Sequence, residues 1–344
     1  MQPVSTAMLA FGMSGQVFHG PSLQVHPGFS WEVVLRRGGP VSIGGYPQVR
    51  VVTRIEDILQ DPAIELVVVN TPEPTHYPYA RQALLAGKHV VVEKAFTVTS
   101  QEADILVHLA QERGRILSVY HNRRWDSGSQ TVRGLINSGV LGDVVMFTSR
   151  YDRWRPIPQA TWRETEAPGT DVLYNLGSHL IEEALSLFGT PEQVMADIRR
   201  ERPGATAADA FDLTLYYPDF RATLHATYLM REPAPRYRIL GTRGSYIKYG
   251  LDTQEEALKQ GRLPGSPGWG EEPPAQWGVL YTDAAPQPIP AIPGNYLAYY
   301  DALYAAIRSG QTGYITGQEG AQVIRVIEAA RRSAAEGVRV VMGV

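Results

Sequence analysis

Residues Val4 to Gly15 read VSTAMLAFGMSG, and the fold turns on this stretch. Val4 to Ala10 is short and mostly apolar, as a strand covered on both faces should be. Ala10-Phe11-Gly12-Met13-Ser14-Gly15 then leaves that strand and enters a helix. The spacing matches G-x-G-x-x-G with alanine at the first glycine position. Gly12 and Gly15 let the backbone approach a pyrophosphate and let the helix pack close to the strand. Around Ser14, the helix N-terminus offers free N–H groups to negative charge. Tight strand-to-helix turns are common, so the flanking pattern decides whether this one holds a dinucleotide.

That pattern is an alternation. Trp31 to Arg37, Val49 to Val52, Ile64 to Asn70, His89 to Lys94 and Ile116 to His121 also read as strands. Between them lie helix signals. Thr99 with Glu102 forms a capping box, and Thr53 precedes Ile55, Ile58 and Leu59 at helical spacing. Pro74 begins a run through Ala80, Ala83 and Leu84 that stops at Gly87. Strands alternating with helices predict a Rossmann-type, doubly wound parallel sheet. Beyond about Trp125 strands follow one another at Val144 to Tyr151, Phe211 to Tyr217, Ala222 to Tyr228 and Arg236 to Leu240. One long helix, Asn175 to Phe188, interrupts them. This texture predicts an α+β domain on a large, mostly antiparallel open sheet. The expected division is 1–123 and 124–344. Gly261 to Gly278 reads as an ordered loop, because Trp269 and Trp277 sit in it, and helices from Tyr296 to Arg308 and Gln318 to Ala335 close the chain.

Composition narrows the function. With 344 residues and 44% hydrophobic content, the chain can bury the cores of about two domains. A formal net charge of −3 disfavours nucleic acid or an anionic membrane as the main partner. Cysteine is absent, which excludes disulfides, thiolate metal sites and a cysteine nucleophile. The N-terminus shows no signal-peptide pattern, and no apolar run reaches the roughly 18 residues of a membrane span, so a cytoplasmic location is expected. Among 32 basic residues only Lys88, Lys94, Lys248 and Lys259 are lysines.

Lys94 is therefore conspicuous. It follows Glu93 at the end of a strand, where open parallel sheets place their ligands. A partly desolvated lysine can exchange a proton near neutral pH, which arginine cannot. The plainer reading is a strand-end ion pair. The acidic residue that accepts a ribose hydroxyl about 20 positions past the glycine turn is missing. The second strand ends instead in Arg36-Arg37, which could pair with a 2′-phosphate and so favours NADP over NAD. The plainer reading there is a solvated basic pair. Asn175 and His179, four apart, share one helical face. Asn175 could equally be an N-cap, and His179 a hydrogen-bonded filler. His179 and Glu182 lack a third ligand, so no metal site is expected.

These residues resemble the Gfo/Idh/MocA oxidoreductase family over essentially the whole chain. The family's Glu-Lys-Pro appears as Glu93-Lys94-Ala95, its Thr-Pro-x-x-x-His as Thr71-Pro72-Glu73-Pro74-Thr75-His76, and its Asp-x-x-x-His as Asn175 to His179. Longer strings are similar to NADP-dependent scyllo-inositol dehydrogenases. They include Gly15 to Pro21, Ser118 to Asp126, Tyr151 to Pro156, Pro235 to Arg238 and Ile247 to Asp252.

The resemblance implies hydride transfer between NADP(H) and a ring hydroxyl or ketone of a cyclitol or sugar. Lys94 would exchange the proton, with His179 as its substrate-side partner and Asn175 beside it. Thr71, Pro72, His76, Glu93, Asn122 and Arg123 would line the cofactor site. Arg153, Trp154 and Tyr237 would contact the substrate. The open sheet would join a homodimer or homotetramer. Alternatives are NAD, another polyol or sugar, and a catalytically idle NADP-binding sensor. Three departures matter. Ala10 adds a methyl group near the pyrophosphate. Ala95 replaces proline, and since a cis alanine peptide costs roughly 2.5–4 kcal/mol, a trans Lys94–Ala95 bond is expected. Asn175 lacks the charge of aspartate, so reduced activity or a different polyol is expected.

Overall fold

The computed structural model describes residues 2–36, 38 and 42–343. Six strands form a parallel sheet: β1 (Val4–Met8), β2 (Phe29–Leu35), β3 (Arg50–Val52), β4 (Leu66–Val69), β5 (His89–Glu93) and β6 (Leu117–Tyr120). Their order is β3-β2-β1-β4-β5-β6, and every pairing is parallel. The order reverses between β1 and β4, the crevice at which such sheets take ligands. Central strands are apolar on both faces, and Leu66 to Val69 are completely buried. The crossovers carry α1 (Gly20–Val25), α2 (Glu56–Leu59), α3 (His76–Leu85) and α4 (Ser100–Arg113). A π-helical turn, Gly15–His19, leads into α1. The capping box forms in full: Thr99 Oγ1 accepts from Glu102 N–H, and the Glu102 carboxylate accepts from Thr99 N–H. Gly87 takes φ 73° just past α3, as the sequence requires.

Nine strands form the second sheet. They are β7 (Val144–Arg150), β8 (Gln193–Arg199), β9 (Ala210–Tyr216), β10 (Arg221–Thr227), β11 (Tyr237–Gly241), β12 (Ser245–Lys248), β13 (Gly278–Tyr281), β14 (Gln287–Ile289) and β15 (Val340–Val341). The order is β14-β13-β12-β11-β7-β10-β9-β8-β15, antiparallel throughout except for the parallel pair β7–β10. On one face lie α5 (Ser127–Ser138) and α6 (Ser178–Phe188), tied by Arg133 bonds to Ser186, with Phe147 of β7 packed on Phe188. The other face shows partly exposed Met146, Thr148, Arg150, Thr223 and His225. The alternation behind the expected strands is therefore real. Strands β8 and β12 to β15 escaped it, because they are polar, short or embedded in proline-rich sequence.

Three later helices are α7 (Gln254–Lys259), α8 (Leu297–Ser309) and α9 (Gly317–Glu336). The chain divides into two compact units, but not by a single cut at 123/124. One unit holds Met1–Asn122, Gln254–Trp269 and Asn295–Ala321; the other holds Arg123–Thr253, Gly270–Gly294 and Gln322–Val344. The returning segments belong to the first unit for a packing reason. Tyr299 and Tyr300 of α8 stack edge-on with Tyr120 and Phe29, and Gln254 Oε1 accepts from the Trp269 indole and the Tyr296 amide.

Candidate active site

In the first unit the glycine turn is fixed from beneath. Asn70, just past β4, accepts from Ala10 N–H and donates to Ala10 O, both at 2.9 Å. A Cβ on Gly15 would stand 3.0 Å from Ala10 O and from Asn70 Nδ2, so only glycine lets the helix sit this close. A Cβ on Gly12 would meet nothing within 4 Å. The space above Gly12 is open, and the Ser14 side chain caps no N–H of the helix. Ala10 therefore leaves the turn intact, and the cradle fits a pyrophosphate. Arg36 follows β2 directly, its N–H bonded to Val52 O. Arg37 lies outside the described residues.

Thr71 and Pro72 continue from β4. His76 is completely buried, its ring nitrogens 2.8 Å from Thr71 O and 3.0 Å from Phe96 O. It ties the turn after β4 to the turn after β5, so both edges of the crevice are held by one ring. Glu93 and Lys94 stand at the end of β5. The Lys94–Ala95 peptide is cis, not trans as expected. Here the turn folds back so that Phe96 N–H reaches Glu93 O at 3.1 Å, with Ala95 and Phe96 fully buried. Packing of the turn thus holds the geometry without a proline ring.

Glu93 is not simply paired with its neighbour. Its carboxylate accepts from His19 Nε2 at 3.0 Å and from Lys94 N–H at 3.2 Å. Burial by itself would raise this carboxyl; the His19 bond and the charges of His19, Lys94 and His76 outweigh it and hold the group below its usual range. Behind it, His19 Nδ1 lies 2.6 Å from the Tyr300 hydroxyl. Sequence reading missed His19 and Tyr300 as a pair, since 281 positions separate them.

The second unit has its own cluster. Asn175 lies in a π-helical turn, Leu173–Gly177, that runs straight into α6. It is not the N-cap. Asp171 is, accepting from Leu173 N–H at 2.9 Å and Tyr174 N–H at 3.1 Å, with φ 96°. Asp171 also pairs with Arg331 of α9. Burial raises its carboxyl, opposed by Arg331 and the two amides. The Asn175 amide donates to Tyr228 Oη at 3.4 Å. His179 lies 6.4 Å from the buried Tyr151 ring in a near-parallel stack. Around that same ring sit the guanidiniums of Arg123 (5.1 Å), Arg153 (5.4 Å) and Arg236 (5.5 Å). The structure therefore gathers Arg123, Arg153 and His179 about Tyr151, a residue noted in the sequence only as part of a longer string.

Trp154 is exposed and carries Arg231 over its ring at 4.6 Å. Tyr237 is not. It is buried on the inward face of β11 and donates its hydroxyl to Glu183, so its expected substrate contact is corrected to a core role. Glu183 also receives Ser149 and a two-pronged bond from Arg236. Burial works against charge on Arg236, but Glu183 more than compensates and holds the guanidinium above its ordinary value. Asn122 is buried and opens a short 3-10 turn ending at Trp125. Among the described residues no group of three or more potential metal ligands occurs, and no helix is long and apolar enough to cross a membrane.

Residues 5–121 match the model of an oxidoreductase family's NAD-binding Rossmann fold, and residues 133–342 match its C-terminal alpha/beta domain. The chain belongs to the Gfo/Idh/MocA oxidoreductase family. It is 42% identical over 337 residues to scyllo-inositol 2-dehydrogenase (NADP(+)) IolW of Bacillus subtilis, covering 97% of this chain and 94% of that protein. An uncharacterized Escherichia coli oxidoreductase, YdgJ, is 40% identical over 96% of both chains. Among solved structures, the Bacillus subtilis oxidoreductase yvaA superposes with TM-score 0.95 at 40% identity over 99% of each chain. A Bacteroides fragilis oxidoreductase gives 0.91 at 42% identity, covering 99% of this chain and all of that one. As a Gfo/Idh/MocA oxidoreductase, the chain carries an NAD(P)-binding Rossmann domain on the first sheet.

Proposed function

We propose that this oxidoreductase is an NADP-dependent dehydrogenase of a ring hydroxyl in a cyclitol or sugar, with scyllo-inositol as its leading substrate. The observation that carries the reading is the likeness to the B. subtilis scyllo-inositol dehydrogenase over nearly both full chains. Gly12, Ser14 and Gly15 would hold the pyrophosphate, and Arg36 and Arg37 a 2′-phosphate. Thr71, Pro72, His76, Glu93, Asn122 and Arg123 would line the remainder of the cofactor site. A bound nicotinamide accepts or returns the hydride. The chain's own task is to place the polyol and to move the hydroxyl proton. Lys94, on the rigid end of β5, takes that proton in oxidation and gives it back in reduction. In the second unit His179 and Asn175 offer hydrogen bonds to substrate hydroxyls, with Arg153 at the same Tyr151 ring as His179 and Trp154 next to it in sequence. The enzyme would work in the cytoplasm as a homodimer or homotetramer joined through the partly exposed face of the nine-stranded sheet.

The test is the rate of NADP⁺ and NAD⁺ reduction with scyllo-inositol, myo-inositol and common aldoses. Turnover of scyllo-inositol with preference for NADP⁺ is expected. Turnover of a different polyol alone keeps the reaction and moves the substrate. NADPH binding without turnover on any polyol would favour an idle sensor, a reading that Asn175 in place of aspartate keeps open. Light scattering that reports a monomer would overturn the assembly.

A further inference from the structure

Glu93 is buried, and its two oxygens are both engaged, one by a side chain and one by the main chain of Lys94. An ionised carboxylate only accepts hydrogen bonds, so His19 Nε2 must carry a proton. The other ring nitrogen, Nδ1, lies 2.6 Å from the Tyr300 hydroxyl, so one imidazole joins that hydroxyl to the carboxylate. Burial holds the Tyr300 phenol well above its ordinary value, so this hydroxyl keeps its proton. The result is a connected chain: the Tyr300 hydroxyl bonds the His19 ring, His19 Nε2–H donates to one Glu93 oxygen, and Lys94 N–H donates to the other. Tyr120 packs against the His19 ring with centroids 4.2 Å apart, leaving the ring little freedom to turn. The groups facing Glu93 are His19 from the turn before α1, Lys94 from β5, His76 from α3, and Tyr299 and Tyr300 from α8. None of these groups is a carboxylate; Asp301, the acid of α8 beside Tyr300, lies 3.1 Å from His26 Nε2 instead.

We infer that Tyr300, His19 and Glu93 are positioning residues that hold one carboxylate charge at Lys94 and fix the main chain from which Lys94 springs. This deepens the functional reading above, which assigns proton exchange to Lys94. A carboxylate nearby favours the ammonium form of lysine, so the device sets the pH at which Lys94 gives up its proton. Tyr300 and His19 act only through Glu93; their part is to keep the carboxylate ionised and in register.

The scarcity of lysine makes this directly measurable. Reductive methylation with ¹³C-formaldehyde labels the four lysines and the N-terminus, and Lys94→Arg assigns the Lys94 resonance. Its titration is followed by NMR in the substrate-free protein. In Glu93→Gln, which keeps the shape and loses the charge, the Lys94 midpoint is expected to fall by about one pH unit. Tyr300→Phe should lower it by less, and Glu93→Asp, which restores a carboxylate, should recover part of the shift. A folded Glu93→Gln protein in which Lys94 titrates as in the parent overturns the inference. Should Glu93→Gln fail to fold, Tyr300→Phe decides: a lowered midpoint supports the device and an unchanged one overturns it. Because no turnover is needed, an enzyme inactive on every polyol would sink the functional reading while this titration still judges the device by itself.

Discussion

In the first unit a single anion, Glu93, sits at a strand end held by the His19 ring and the Lys94 main chain, while in the second three guanidiniums crowd one neutral ring, Tyr151. The anion is held by groups that the parallel sheet itself delivers: β5 ends at Glu93, and the glycine turn leads to His19. The cations are held by partners from scattered elements. Arg236 reaches Glu183 on α6 and Arg123 faces Asp126; a further pair, Arg331 with Asp171, fixes the cap that starts the Asn175 turn. A parallel sheet thus brings chemistry to one edge by topology alone. The mixed sheet needs buried ion pairs to do the same, and one of its key positions, Asn175, has no charge at all.

If buried ion pairs organise the second unit, breaking one should cost far more than a surface change. Arg236→Met leaves the Glu183 carboxylate buried without its cation. We expect a loss of about 3–5 kcal/mol, read as a large drop in the unfolding midpoint in denaturant. A loss below 1 kcal/mol would mean that the Ser149 and Tyr237 hydroxyls suffice. The second prediction restores the missing charge. Asn175→Asp should raise kcat about tenfold, roughly 1.4 kcal/mol of barrier, by giving the His179 side an anion. A neutral or lower rate would show that the amide is the working group here.

The smallest effect belongs to the first unit. His89, at the half-buried start of β5, accepts from Ile116 N–H at 2.9 Å through Nδ1. Burial, with Arg115 adding repulsion, lowers its pKa from 6.5 to about 4. The folded protein therefore resists protonation that the unfolded chain accepts. Its contribution is complete above pH 6.5 and is lost as pH falls toward about 4. Allowing for its partial exposure, we expect about 1 kcal/mol. His89→Gln should flatten that part of the stability profile, and an unchanged slope would assign the acid sensitivity elsewhere.

The sequence made the first unit legible because its signals are local. Thr99 with Glu102, Pro74 with Gly87, and the turn through Gly12 and Gly15 each act within a few residues. The place of Glu93 and Lys94 beyond β5 followed from strand direction. What it hid was long-range. Nothing near His19 announces Tyr300, and α8 returns to the first unit through aromatic packing rather than any linker signal. In the second unit the family resemblance implied a substrate contact for Tyr237, yet strand alternation points it inward to Glu183. Asn175 resembled a cap because the residue that does cap, Asp171, needs Arg331 from the far end of the chain. The trans peptide expected at Ala95 failed for a similar reason: the buried turn, not the residue after Lys94 alone, sets that bond.

The central claim is that Lys94 moves the proton for a dehydrogenase built on the glycine turn. It is tested most directly by comparing Lys94→Met with the parent for NADPH binding and for polyol turnover in one preparation. The account predicts NADPH affinity within a few-fold of the parent and a kcat lower by about 10²–10⁴. A Lys94→Met enzyme that keeps its turnover would contradict it.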